Sequence, residues 1–71
     1  MEKDVFTKKL AKRITKVREE KEMTQVALGK LIGKSKHSIC RLESGTFTPT
    51  AFFVFEISKA LKVSVGELMD L

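Results

Sequence analysis

The chain has one cysteine, one histidine and one proline among its 71 residues. A single cysteine excludes an internal disulfide, and with one histidine there is no Cys/His cluster to hold a metal. His37 has neither a second histidine nor a paired carboxylate beside it, so catalysis finds no constellation, and no cofactor is expected. One proline and four glycines leave little to interrupt helices, which suits an all-α chain. No stretch approaches the roughly 20 apolar residues of a membrane span, and no signal peptide is visible. The expectation is a single domain over residues 1–71, cytoplasmic, without membrane contact or small-molecule ligand. A core of this size is marginal without staples, so stability must come from well-packed helices, helped by self-association.

Acidic residues are scarce in one part of the chain. Residues 1–46 hold twelve Lys/Arg against six Asp/Glu, whereas residues 47–71 hold two against three. The basic part favours a polyanionic partner.

That part contains residues 24–44, around which the rest is organised. Leu28 and Ile32 are four apart and share one helical face; Ile39 and Leu42 are three apart and share another. The spacing predicts helices over Gln25–Ile32 and Ser35–Ser44. Gly33 can take the left-handed conformation that ends the first. Thr24 and Ser35 are placed to cap the two helices by accepting backbone N–H bonds. A link this short forces a steep crossing, and Gly29 supplies the small residue the contact needs. Opposite Ile39 and Leu42, the second helix carries Lys36, His37, Cys40 and Arg41, with Ser38 on the flank. Such a face is narrow enough for a major groove and can donate to guanine or phosphate.

The spacing of Gln25, Leu28, Gly29, Gly33, Ile39 and Leu42 resembles the helix-turn-helix of the phage-repressor and Cro-type (Xre-like) DNA-binding family. Arg41-Leu42-Glu43-Ser44-Gly45 is similar to the family's Arg-Ile-Glu-x-Gly. The resemblance covers roughly Leu10 to Leu68 and implies a five-helix, lambda-repressor-like domain that binds double-stranded DNA. It departs from the pattern at Lys62, where many members have Gly, and at Phe52 and Phe53, where polar residues are usual. It implies an ion pair between Arg18 and Glu43, locking the first helix to the end of the third. Base-edge candidates are Lys36, His37 and Arg41. Phosphate candidates are Thr24, Gln25, Ser35, Ser38, Thr46 and Thr48.

In the remaining chain, Phe6, Leu10, Ile14 and Val17 form the inward stripe of a helix over residues 1–22, with Asp4 as its N-cap. Lys8, Lys9, Lys12, Arg13 and Lys16 occupy its other faces. Glu19, Glu20 and Glu22 near its end oppose the helix dipole and have no evident stabilising purpose. Thr46–Pro49 is a loop, with Phe47 folding over the core. Thr50 caps a fourth helix, Ala51–Leu61, with Ala51, Val54, Phe55, Ser58 and Leu61 inward. Phe53, Ile57 and Ala60 make a second apolar strip, and Phe52 points away from both. Ser64 caps a fifth helix carrying Val65, Leu68 and Met69. So wide an apolar arc marks an interface, and a homodimer contact is placed on Phe52, Phe53, Ile57, Val65 and Met69. Two readings stand: a homodimeric transcriptional regulator, most simply a repressor, reading a palindromic operator; or an antitoxin- or adaptor-type module that binds another protein through the apolar patch.

Overall fold

The computed structural model describes residues 1–71 as five helices: α1 (Lys3–Glu20), α2 (Gln25–Ile32), α3 (Lys36–Ser44), α4 (Ala51–Leu61) and α5 (Val65–Leu68). No helix is long and apolar enough to cross a membrane. The caps of α2 to α5 fall where short hydroxyl side chains precede each helix. Thr24, Ser35, Thr50 and Ser64 each accept the N–H three residues on, from Ala27, Ser38, Phe53 and Glu67. Asp4, by contrast, is not a cap. It lies in the first turn of α1, and Glu2 at the cap position makes no side-chain bond. The negative charge of Asp4 still suits that end of the dipole.

Three helices close with the same backbone device. A residue with positive φ turns the chain, and the next N–H reaches back to the carbonyl five residues earlier. Gly33 does this for α2, with Lys34 N–H on Gly29 O at 2.8 Å. Glu22 (φ 54°) does it for α1 and Lys62 (φ 58°) for α4, with Met23 N–H on Arg18 O and Val63 N–H on Ser58 O. Neither of these two is a glycine, so both ends carry strain that glycine would not.

The core gathers Leu10, Ile14 and Val17 of α1, Leu28 of α2, Ile39 and Leu42 of α3, Val54, Ile57 and Leu61 of α4, and Leu68 of α5. Burying each such side chain stabilises the fold by about 1.5–3 kcal/mol relative to exposure. α1 packs on α3 and α5, α2 on α3 and α4, and α4 on α5.

α4 is rotated from the expected setting. Val54, Ile57, Ser58 and Leu61 face inward, while Ala51 and Phe55 are exposed. The rotation seats Ile57 in the core, and Ser58 is tolerated there because its hydroxyl donates to Phe55 O at 2.7 Å. Ile57 is therefore unavailable to a partner, which corrects its place among the interface candidates. The other four do not share one surface. Phe52 lines a hollow with Leu31, Ile32, Phe55 and Ala60. Val65 and Met69 line a separate hollow with Phe6, Pro49 and Val54. Phe53 is half-buried against the Phe47 ring.

Candidate nucleic-acid interface

The crossing of α2 and α3 rests on Gly29. A Cβ there would stand 2.4 Å from the Lys34 carbonyl oxygen and 3.5 Å from Ile39 Cγ1. The turn residue Lys34 can pass over α2 only because that atom is absent. The tight passage, with Ser35 capping immediately after, fixes the direction in which α3 leaves the body.

α3 then presents two unlike faces. Ile39 and Leu42 are buried. Lys36, His37, Cys40 and Arg41 are exposed on the other side, with Ser38 half-buried between. The first turns of α2 and α3 contain no acid. The outer face thus offers cationic donors without a carboxylate among them, and a phosphate or a guanine edge can accept from it.

An ion-pair node ties α3 to the body. Arg18 Nε donates to Glu43 Oε2 at 2.7 Å and Nη2 to Oε1 at 3.1 Å, a bidentate fork. Arg18 Nη1 also donates to the Met23 carbonyl at 2.6 Å. Hydrogen bonding to Glu43 raises the Arg18 pKa above its ordinary value; burial opposes this, and the charges of Glu43 and Glu19 add to it. The guanidinium therefore joins the end of α1, the entrance to α2 and the last turn of α3. The Arg18–Glu43 pair was legible in advance; the Met23 carbonyl was not.

The phosphate candidates prove to be engaged within the protein. Gln25 Nε2 donates to Glu43 Oε1 at 2.9 Å, so its amide joins the same node. Thr24 and Ser35 spend their oxygens on capping, and Ser35 Oγ also reaches Ser38 Oγ at 3.2 Å. Thr46 donates to the Arg41 carbonyl at 3.1 Å. The Thr48 hydroxyl lies 2.6 Å from that of Thr7, fastening the loop after α3 to α1. Each keeps a spare donor or lone pair, but its first role is local structure. The backbone N–H groups of Gln25 and Val26 remain without a partner at the start of α2, where an anion is favoured.

Two features escaped the sequence reading. Leu31, on the outer side of α2, is 61% exposed beside Phe52 at 67% and Phe55 at 47%. Lys34 lies with its ammonium 5.3 Å from the centre of the Phe53 ring.

A helix-turn-helix family model matches residues 14–68 of this chain. Among solved structures, the chain is similar to the P22 c2 repressor protein, determined in complex with the synthetic operator 9T in the presence of Tl+. The TM-score is 0.76 at 31% identity, over 86% of this chain and 92% of that one. Comparison with curated proteins finds no match.

Proposed function

This chain belongs to the phage-repressor and Cro-type helix-turn-helix family, and we propose that it is a DNA-binding transcriptional regulator acting as a repressor. Its α3 enters the major groove of duplex DNA. The observation that carries this reading is the outer face of α3: Lys36, His37 and Arg41 exposed together, acid-free, on a helix whose other side is anchored in the core. Lys36, His37 and Arg41 reach base edges or adjacent phosphates. The unpaired N–H groups at the start of α2 and the free donors of Thr24, Gln25 and Ser38 meet the backbone, and Ser35, Thr46 and Thr48 join them by exchanging their internal hydrogen bonds for phosphate. Such contacts position the protein, while base contacts specify the site.

A helix of nine residues reads only a few base pairs. Two copies about 34 Å apart would meet successive major grooves on one face of the duplex, so the functional unit is a homodimer on a palindromic operator. Of the exposed dimer candidates, Val65 and Met69 lie together at one hollow, apart from Phe52, and they are the surface we assign to that contact. A second reading is favoured by the separate hollow of Leu31, Phe52 and Phe55: a module that binds another protein there, as an antitoxin or adaptor would.

Selection of binding sites from random duplex DNA, with the mass of the bound complex measured alongside, tests both. A symmetric site bound by two chains supports the dimeric repressor. Failure to enrich any sequence refutes it and leaves the protein-binding module.

A further inference from the structure

α3 is flanked by two cations that lie over one aromatic pair. Arg41 Cζ is 5.5 Å from the centre of the Phe47 ring, and Lys34 Nζ is 5.3 Å from that of Phe53. The two rings stack on each other at 6.3 Å with 22° between their planes. Lys34 belongs to the turn before α3, Arg41 to its exposed face, Phe47 to the loop after it and Phe53 to α4. The sequence Lys34–Phe53–Phe47–Arg41 is thus a continuous ladder from one end of α3 towards the other.

Both cations are exposed, and the salt bridge of the molecule, Arg18–Glu43, involves neither. A ring face attracts a cation without consuming its N–H donors. All of those donors stay available to a nucleic acid. A long side chain that is free in solution must be immobilised on binding, at a cost. A side chain already resting on a ring has met part of it.

We propose that Phe47 and Phe53 are positioning residues that hold Arg41 and Lys34 towards duplex DNA, and that Lys34 is itself a phosphate-contacting residue. The proposal rests on the DNA reading above. It gives Phe53 a role on the DNA side of the molecule rather than at a dimer contact. Arg41 is fixed further by its own backbone, whose carbonyl accepts from both Ser44 Oγ and Thr46 Oγ1.

The test is a double-mutant cycle on a duplex that the wild-type chain selects from a random pool. Phe47→Leu keeps apolar cover and removes the π face. It should weaken binding about two- to fivefold and cost nothing further when Arg41 is already Ala. Phe47→Tyr, which retains the ring, should bind as wild type. Lys34→Ala should lower the slope of log affinity against log salt by about one. Thermal melting of every variant reports whether it is folded. Equal losses from Phe47→Leu with and without Arg41 would mean that Phe47 serves the fold alone, which overturns the proposal. An unchanged salt slope in Lys34→Ala, an exposed position where folding is not at issue, overturns it independently. A wild-type chain that enriches no site removes the DNA reading and this inference together; a wild-type chain that binds while the losses add removes only the inference.

Discussion

Replacing Arg18 by Met should cost this domain a large part of its stability. Met keeps much of the stem volume and removes the charge. The side chains of Arg18 and Glu43 are 11% and 6% exposed, so the carboxylate cannot recover its lost partner from water. Gln25 would be the remaining donor to it among the contacts seen. Breaking a buried pair from one side costs about 3–5 kcal/mol. A domain of this length has about 4–10 kcal/mol in total. At about 4–8 °C per kcal/mol, the melting temperature should fall by roughly 12 °C or more. Thermal melting by circular dichroism measures it directly. The double variant Arg18→Met with Glu43→Met should recover part of the loss, because no charge is then left buried. The Arg18 pKa is raised in the fold, so its contribution is complete at every pH below the ordinary arginine value. It is lost only as the pH climbs through the higher folded value. Titration of this group therefore introduces no pH dependence between about 5 and 9. A melting temperature within two or three degrees of wild type for Arg18→Met, on the scale of about one-half kcal/mol, would refute the node as the tie between α1 and α3.

Gly29→Ala should destabilise by about 1–3 kcal/mol through overpacking against the Lys34 carbonyl, although Ala is the better helix former by about 1 kcal/mol. A urea midpoint equal to or above wild type would show that the close approach is not needed. Lys62→Gly and Glu22→Gly should each stabilise, by a few tenths to about 1 kcal/mol, since relief of the left-handed strain exceeds the added backbone entropy of glycine. Glu22→Gly should gain more, because it also removes an acid from the negative end of α1; a lower melting temperature in both would contradict the strain argument.

The helix-turn-helix and its caps were legible because their signals are local. A hydroxyl three residues before an N–H, a glycine after the last apolar position, and a four-residue apolar step each act within one turn. The outer face of α3 followed from the same arithmetic. α4 was legible as a helix but not in its rotation. Phe52, Phe53, Val54, Phe55 and Ile57 make it apolar almost all round, so only its packing partners choose the buried side. With α4 packed on α2 and α5, Ile57 is buried and Phe55 is left exposed. The misplacing of Ile57 among the interface candidates follows from that ambiguity. The ladder beside α3 was hidden for another reason. Its members come from a turn, a loop and two helices, and no spacing along the chain relates residues 34, 53, 47 and 41. The engagement of Gln25 by Glu43 was similarly invisible, since it depends on where Arg18 places that carboxylate.

The central claim is that the cationic side of α3 reads base edges from the major groove. Replacing guanines and adenines of the selected duplex one at a time by their 7-deaza analogues tests it most directly. Each replacement removes the N7 acceptor in the major groove and leaves the minor-groove edge and the phosphates as they were. At one or more positions in each half-site, affinity should fall by about 1–3 kcal/mol, and Arg41→Ala or Lys36→Ala should erase the loss at one of them. Affinity indifferent to every such replacement, with the wild-type chain still bound, would contradict the account.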